Sequence, residues 1–312
     1  MLKTYQDTQV ALGCEVHLTI VSDASQVVSD KYFYKLWMTI FNFEKRCSRF
    51  LPASELTQFN KAAGARQPIT QEFRDVLLAA KRMADESEGL YNPFILPALQ
   101  RTGYIKSMVA KYSNDYSDDF SDRAVVPADR LLIGDTWANI PYGTAIDLGG
   151  CGKGYIGDRL ADIASTFPEI NGYWFSLGGD VVTGGLDEHE KPWQVQVESA
   201  WGDESQSAGT IILPNPERYA VATSTPIRRA PKIGKEYTHI IDPRTNKPVE
   251  SNVILSTVCA RSALVADVMA SSLVITGKAG VKEYLDSKHD VVSALLQTDD
   301  SKIHKFGGLI RW

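Results

Sequence analysis

The chain carries the stretch Ala145-Ile-Asp-Leu-Gly-Gly-Cys-Gly-Lys-Gly-Tyr155, in which an apolar run meets four glycines. This pattern predicts a short strand, then a tight turn, then a helix that begins near Gly154. Glycines remove Cβ atoms, so the backbone of the turn can approach a ligand closely. The helix would direct free N–H groups into the same space, and Asp147 and Lys153 add one charge of each sign. The stretch therefore predicts a site for a phosphate-bearing ligand.

Taken alone, this turn fits two explanations equally well: a ligand site, or a tight strand–helix turn that binds nothing. It is not a Walker A phosphate loop, because Asp147 stands where that loop needs its first glycine and Gly154 where it needs Ser or Thr. It also lacks the G-x-G-x-x-G spacing of a dinucleotide-binding unit. Support for a ligand has to come from other segments of the chain.

Composition excludes several classes of protein. A net charge of −5, with no run of Lys or Arg, argues against a nucleic-acid-binding surface. The four cysteines form no C-x-x-C pair, so we expect buried free thiols and no zinc site. Residues 1–7 hold no apolar leader or lipid-attachment cysteine, and eighteen apolar residues never occur in a row. We therefore expect a cytoplasmic protein without a membrane span.

Periodicity predicts an α+β (mixed α/β) fold in one domain over 1–312. Apolar residues at helical spacing predict a helix over Asp30–Arg46, while Thr70 can cap a second helix that Gly89 ends. The further candidate strands are 9–22, 131–134, 144–148, 173–177, 193–198, 209–213, 219–223 and 253–260. The further candidate helices are 154–166, 262–276 and 278–287. Residues 112–123 carry four aspartates without periodicity, which indicates an acidic surface loop.

Two other segments place polar residues beside turns. Ser176-Leu-Gly-Gly-Asp180 ends a predicted strand, and on its own it is best explained as a plain hairpin. In the segment 237–248, His239 precedes Asp242-Pro243, and Asn246 stands where a turn needs a positive φ. A lone His is more often structural than catalytic. His239 is therefore a catalytic candidate only if a reactive group lies next to it.

The segment Ser262–Ser272 predicts the start of a helix. Asp267 and Ser271 are four residues apart, so their side chains lie on one helix face about one turn apart. A carboxylate and a hydroxyl are hard oxygen ligands suited to Mg²⁺, which takes its remaining ligands from phosphate and water. A carboxylate favoured by the helix dipole, with Ser271 bonding back to a carbonyl, explains the same spacing equally well.

Taken in order, these segments resemble the ApbE family, the FAD:protein FMN transferases. The resemblance runs from about Leu12 to Ile275, and several short motifs occur in the order the family has them. These motifs are Leu12-Gly-Cys14, Cys47-Ser-Arg-Phe-Leu-Pro-Ala-Ser-Glu-Leu-Thr-Gln-Phe-Asn60, Ser87-Glu-Gly-Leu-Tyr-Asn-Pro93, Asp147–Tyr155, Leu177-Gly-Gly-Asp180, Ala222-Thr-Ser224, His239-Ile-Ile-Asp-Pro-Arg-Thr245 and Ala266-Asp267.

The resemblance implies a two-lobed, T-fold-like architecture with FAD held between the lobes. It also implies a reaction in which Mg²⁺ grips the FAD pyrophosphate and a threonine hydroxyl of an acceptor protein attacks the FMN phosphorus. AMP leaves, and FMN stays attached through a phosphoester. Family acceptors carry an Asp-x-x-(Ser/Thr)-(Gly/Ala)-Ala-Thr type of motif. This chain has no good copy of that motif, so it resembles the modifying enzyme and not the modified protein.

Residue by residue, the resemblance assigns the metal to the Gly150 carbonyl, the Asp267 carboxylate and the Ser271 hydroxyl. It makes His239 the base beside the attacking hydroxyl, with Lys153 and Asp267 as the other catalytic groups. Asp147 would hold flavin or ribityl groups, and Lys153 would face the ligand. The other residues that the resemblance places on FAD are Leu12, Phe50, Asn60, Leu90, Tyr91, Asn92 and Ile241.

Several positions depart from the family pattern. Asn92 and Phe94 replace the Asp and Thr of a family Asp-Pro-Thr run, and Thr225 replaces a Gly. Cys14 replaces a Thr, and Gly152 an Ala. Ser271 replaces a metal-binding Thr but preserves the hydroxyl. Two alternatives therefore stay open: an FAD pyrophosphatase that releases FMN and AMP, and a non-catalytic flavin-binding protein.

Overall fold

The computed structural model describes residues 2–106, 118–200, 207–214, 216–227, 238–308 and 310–311. These residues form a mixed α/β fold, as predicted. The helices are α1 (Gln26–Cys47), α2 (Glu55–Lys61), α3 (Gln71–Glu86), α4 (Leu96–Arg101), α5 (Gly152–Ala164) and α6 (Ala263–Asp286). The strands are β1 (Lys3–Ala11), β2 (Cys14–Ser22), β3 (Gln67–Pro68), β4 (Leu132–Ile133), β5 (Trp137–Asn139), β6 (Ile170–Leu177), β7 (Asp180–Gly185), β8 (Gln194–Glu198), β9 (Ser207–Ile212), β10 (Tyr219–Ser224), β11 (Ile241–Asp242), β12 (Lys247–Pro248), β13 (Val253–Ala260), β14 (Val291–Thr298), β15 (Ile303–Gly307) and β16 (Ile310–Arg311).

The chain divides into two compact units, each assembled from segments that are distant in sequence. The first unit comprises Met1–Phe41, Lys153–Thr225 and Ser251–Trp312. The second comprises Asn42–Gly152 and Pro226–Glu250. The first unit holds the large sheet, and the second holds helices α2 to α4 with two small sheets, β3-β5-β4 and β11-β12.

The first unit is built on an eight-stranded antiparallel sheet in the order β1-β2-β6-β7-β10-β13-β14-β15. Every residue of β13 is buried, so both of its faces are covered. On one face, Leu255 and Cys259 pack in a core cluster with residues of β8 and β9. Because side chains alternate between the two faces of a strand, α6, which packs on β13 and β10, covers the other face.

The predicted strand over 9–22 is instead a hairpin of two strands. Leu12 and Gly13 both adopt positive φ, at 56° and 70°, and form the turn between β1 and β2. Strand β1 was missed because its inward face includes the polar residues Asp7 and Gln9, so it shows little contrast between its faces. Strand β14 was missed because its last six residues are all buried and show no alternation.

The helix predictions are confirmed with small shifts in their ends. The side chain of Thr70 caps α3 by accepting from Phe73 N, and Gly89, at φ 79°, closes its end by donating to the Ala84 carbonyl. The two helices predicted over 262–276 and 278–287 lie end to end within α6, and the predicted break between them falls at Gly277, whose φ of 69° is not helical.

Helix α6 is the one helix among the described residues that is long and apolar enough to cross a membrane. Within its most apolar window, 67% of the residues are buried inside the protein. Its apolar character therefore reflects its central place in the core of the first unit, since it packs on strands of the large sheet.

The strand predicted over 144–148 is wrong. Ala145–Leu148 is extended but pairs with no strand in the described residues, apart from a single bridge between Thr144 and Ala124. Its buried backbone groups find other partners. The fully buried Asn60 side chain accepts from Ile146 N and donates to Ile146 O, both at 2.8 Å, and Asp147 N donates to the Pro93 carbonyl at 2.7 Å. The Asn60 side chain thus makes the backbone hydrogen bonds that a neighbouring strand would otherwise make.

Residues 112–117 of the predicted acidic loop lie outside the described residues. The rest of the segment, residues 118–123, contacts other residues of the second unit. Asp118 forms an ion pair with Lys61 at 3.2 Å, and the Arg123 guanidinium donates to the Asn60 and Thr144 carbonyls at 2.8 Å each. At least this end of the segment is therefore held in place by specific contacts.

Helices α5 and α6 meet backbone to backbone where they begin. A Cβ atom on Gly154 would lie 2.5 Å from the Ala263 carbonyl oxygen, which only a glycine avoids. Each helix also lends a carboxylate to the start of the other. Asp158 of α5 accepts from Ala263 N and Leu264 N at 2.8 and 3.1 Å, and Asp267 of α6 accepts from Gly154 N at 3.0 Å. These bonds satisfy one N–H group at the start of α5 and two at the start of α6.

Replacing Asn60 with Ala should destabilise the second unit. The change leaves a buried N–H and a buried C=O of Ile146 without partners, so we expect the free energy of unfolding to fall by about 3 kcal/mol. Denaturant titration measures this directly. Gln58→Ala removes an exposed amide from the same helix and should change the value by less than about 0.5 kcal/mol. Equal effects of the two changes would contradict the role assigned to Asn60.

Replacing Gly154 with Ala should also destabilise the protein, although the same change elsewhere in a helix stabilises it by about 1 kcal/mol. The close approach to Ala263 reverses the sign, and we expect a loss of about 2 kcal/mol, measured by thermal and denaturant unfolding. Gly308→Ala is the control, because a Cβ there would meet no described atom within 4 Å. A Gly154→Ala protein as stable as wild type would disprove the packing described here.

Candidate active site

Lys153 is held by a carboxylate from the large sheet. It lies in the first turn of α5, and its ammonium forms an ion pair with Asp180. The side chains of Lys153 and Asp180 are only 22% and 12% exposed. Asp180 begins β7 directly after Gly178 and Gly179, both at positive φ, and its Oδ1 accepts from Thr223 N at 3.1 Å. Strand β10 and the glycine turn therefore fix the carboxylate that holds Lys153.

Asp180 was not predicted as a functional residue. The segment Ser176–Asp180 was best explained as a plain hairpin, and the structure does place it at the β6–β7 turn. Nothing local links Asp180 to Lys153, since 27 positions of sequence separate them. The two side chains meet only because the fold of the first unit brings the start of α5 next to the start of β7.

Asp267 and Ser271 lie in α6 one turn apart, as their spacing predicts. Asp267 is buried, and its Oδ2 accepts from the backbone N–H of Gly154. The Ser271 hydroxyl lies 2.8 Å from the Ser224 hydroxyl of β10. Lys153 thus lies on α5 and Asp267 and Ser271 on α6, and these two helices are hydrogen-bonded to each other where they begin.

The donor set at Asp267 and Ser271 fits a hard cation. Both contribute oxygen, and Mg²⁺ needs few protein ligands because it keeps water and phosphate oxygens. No three His, Cys, Asp or Glu side chains cluster as a metal site elsewhere in the described residues. The predicted Mg²⁺ site differs from such a cluster, because its ligands are one carboxylate, one hydroxyl and one carbonyl. Gly150, the predicted carbonyl ligand, belongs to the second unit, where it is exposed beside the Tyr91 ring.

Leu12 occupies a strained position. A bulky residue at φ 56° is an outlier, and left-handed backbone costs a non-glycine residue about 1–2 kcal/mol. The turn that carries Leu12 also packs closely against the next hairpin, since a Cβ on Gly178 would lie 2.8 Å from the Cys14 Cβ. A two-residue hairpin turn favours positive φ at both of its positions, so the turn accounts for this conformation, and contact of Leu12 with a ligand stays a prediction.

In the second unit, Asp147 is bound on both oxygens. Its Oδ1 lies 3.0 Å from Arg49 Nε, and its Oδ2 accepts from Gly149 N at 2.8 Å. The Arg49 guanidinium lies 4.1 Å from the centre of the Phe50 ring and 4.6 Å from that of Tyr104. Arg49 received no role from the sequence, although it stands within the motif Cys47–Asn60. Its aromatic contacts and its ion pair set the position of Asp147.

His239 lies next to the same aromatic cluster. Its ring is half-buried and meets the Tyr104 ring edge to face at 6.5 Å. The segment that follows is a tight hairpin of β11 and β12, in which Asn246 adopts φ 59°, confirming the predicted left-handed turn position. The structure therefore groups His239 with Tyr104, Phe50 and Arg49.

The remaining predicted pocket residues divide into two kinds. Phe50, Leu90 and Tyr91 are half-buried, so a ligand can reach them. Asn60, Asn92 and Ile241 are buried and used internally: Asn60 holds Ile146, Asn92 caps Phe94 N and donates to Val126 O, and Ile241 packs on Ala98 and Leu99. Contact of all of them with FAD stays a prediction.

Burial makes two of the four cysteines, Cys47 and Cys259, poor nucleophiles. All four are free thiols, as predicted, but Cys14 is only half-buried. Burial raises the pKa of the Cys47 thiol far above its ordinary value and that of Cys259 to about 12. Cys151 lies 3.0 Å from the Tyr91 hydroxyl, inside the glycine turn. Protonated, buried thiols of this kind are inert.

Known proteins are similar to this chain in sequence. An FAD:protein FMN transferase from Vibrio cholerae is 27% identical over 256 residues, which cover 81% of this chain and 75% of that protein. A protein of the same name from Haemophilus influenzae is 22% identical over 303 residues, covering 94% of this chain and 87% of that protein.

A solved structure shares the fold. The crystal structure of the ApbE protein from Thermotoga maritima matches with a TM-score of 0.81 at 23% identity, covering 97% of each chain. This likeness confirms the predicted mixed α/β fold. The model of the ApbE family matches residues 12–296, almost the whole chain. The chain therefore belongs to the ApbE family.

Proposed function

We propose that this chain transfers FMN from FAD to a threonine hydroxyl of an acceptor protein, with Mg²⁺ bound and AMP as the leaving group. The observation that carries the proposal is that Lys153 lies on α5 and Asp267 and Ser271 on α6, two helices whose starts are hydrogen-bonded to each other. The prediction of a transferase enzyme is confirmed by membership of the ApbE family and by relatives named FAD:protein FMN transferase.

Phosphoryl transfer depends mainly on positioning and on stabilising negative charge. Lys153 supplies a fixed positive charge at the N-terminus of α5, where anions are favoured. Asp267 and Ser271 would hold Mg²⁺, which neutralises pyrophosphate oxygens when bound. These residues together bind the diphosphate and orient its phosphorus.

His239 is the proposed general base. It would accept the proton of the threonine hydroxyl as that oxygen bonds to the FMN phosphorus, while the bond from phosphorus to the AMP oxygen breaks. Its ring meets Tyr104, which in turn contacts Phe50, so the imidazole belongs to a group of aromatic rings of the kind that could stack on a flavin. A reactive group next to His239 was the condition for treating it as catalytic, and the flavin phosphate would be that group.

The acceptor would carry a threonine in an Asp-x-x-(Ser/Thr)-(Gly/Ala)-Ala-Thr type of motif, and enzyme and acceptor would meet in the cytoplasm. We test the reaction by incubating the purified chain with FAD and Mg²⁺, with and without a peptide bearing this motif. Mass spectrometry should show AMP and an FMN-sized gain on the peptide threonine, both dependent on the metal. AMP without modified peptide would mean a hydrolase instead, and FAD that is bound but unchanged would mean a non-catalytic binder.

Replacing Asp267 with Asn should separate binding from catalysis. The amide oxygen still accepts from Gly154 N, but the charge that holds the metal is lost, so we expect AMP release to fall at least 100-fold, or about 3 kcal/mol in the barrier. FAD affinity measured by flavin fluorescence should stay within about threefold, because most of the ligand is bound by other groups.

Asp162→Asn is the matched control for this change. Asp162 lies in the same unit and pairs at the surface with Arg218 and Arg159, so the same change of charge occurs away from the site. It should leave AMP release unchanged. An Asp267→Asn protein as active as Asp162→Asn would contradict the assigned role of Asp267.

A further inference from the structure

We infer that Asp180 is a positioning residue for phosphoryl transfer: it fixes the Lys153 ammonium and links it to Ser271 through strand β10. This inference rests on the proposed function, because it assumes that Lys153 acts on the FAD diphosphate. Neither the sequence motifs nor the resemblance gave Asp180 a role. The structure supplies three observations that do so.

The first observation is that the Asp180 carboxylate is itself immobilised. Its Oδ1 accepts from Thr223 N, and its Oδ2 pairs with the ammonium of Lys153. The residue begins β7 at the end of a two-glycine turn, and its side chain is 12% exposed. A lysine side chain has a flexible four-carbon stem that carries about 2 kcal/mol of rotamer entropy. Holding the ammonium before the ligand arrives removes that entropic cost from the reaction step.

The second observation is that one strand, β10, contacts both Asp180 and Ser271. Thr223 donates its N–H to Asp180, and the next residue, Ser224, contacts the Ser271 hydroxyl at 2.8 Å. Two successive residues of β10 therefore fix Lys153 and Ser271 relative to each other. The Thr223 hydroxyl is in turn held 2.9 Å from that of Thr257 on β13, which ties β10 to the centre of the sheet.

The third observation is that Asp180 carries a negative charge, as the diphosphate does. A carboxylate beside the lysine that meets a diphosphate repels that diphosphate and partly neutralises the lysine. Asp180 therefore weakens anion binding, and the benefit must come in a later step. Orientation of the ammonium during transfer is such a benefit, because interactions that strengthen only in the transition state raise kcat.

Asp180→Asn tests this directly. The amide keeps the size of the side chain and an acceptor for Thr223 N, but it removes the charge. We expect inorganic pyrophosphate and FAD, without metal, to bind about fivefold more tightly by calorimetry, because a nearby negative charge is gone. In the same protein, kcat for AMP release with Mg²⁺ should fall about 10- to 100-fold. Tighter binding with slower turnover is a combination that mere structural damage does not produce.

Asp180→Glu separates orientation from charge. The longer side chain keeps the negative charge but moves the ammonium, so pyrophosphate affinity should stay at the wild-type value while kcat falls. Lys153→Met supplies a double-mutant cycle: with Lys153 absent, adding Asp180→Asn should change kcat less than twofold. Asp162→Asn controls for a change of charge elsewhere in the unit, and melting temperatures establish that each variant is folded.

The outcomes separate this inference from the proposed function. If the wild-type chain binds FAD but releases no AMP, the proposed function fails and the inference fails with it. If the wild type is active and Asp180→Asn keeps its kcat, the inference alone is wrong. It is also wrong if Asp180→Asn slows turnover equally in the Lys153→Met background, because Asp180 would then act independently of Lys153.

Discussion

The placement of Lys153, Asp267 and Ser271 depends on the reciprocal contact between the starts of α5 and α6. Gly154 lets the two backbones touch, and each helix then caps the other with a carboxylate, Asp158 in one direction and Asp267 in the other. Separating the two helix starts would leave these N–H groups without partners, which costs about 1–3 kcal/mol for each group that stays buried. The reciprocal contact therefore fixes where Asp267 stands relative to the beginning of α5.

Polar side chains on both helices contact neighbouring strands of the large sheet. Lys153 precedes Gly154 and reaches Asp180 on the sheet, while Ser271 follows Asp267 by one turn and reaches Ser224. Anion-binding and oxygen-donor groups are thus built on helices and central strands instead of flexible loops. This is the kind of preorganisation that phosphoryl transfer requires, because the protein contributes position and charge and forms no covalent bond.

The sequence predicted those parts of this site that depend on local pattern. The glycine turn, the start of a helix at 154 and the i, i+4 pair of Asp267 and Ser271 are all properties of short segments. It did not predict Asp180 or Arg49 as partners, because their contacts, with Lys153 and with Asp147, join positions 27 and 98 residues apart. The strand expected over 144–148 failed for a related reason: the Asn60 side chain, far away in sequence, replaces the neighbouring strand.

The most direct test of this account is the position of a bound divalent cation. Crystals of the full chain grown with Mn²⁺ and ADP would reveal the ion by its anomalous scattering. The account predicts one strong peak at about 2.2 Å from an Asp267 carboxylate oxygen and from the Ser271 hydroxyl, which is the range for a small octahedral cation. A peak held by other residues, or none at these oxygens while ADP is bound, would contradict it.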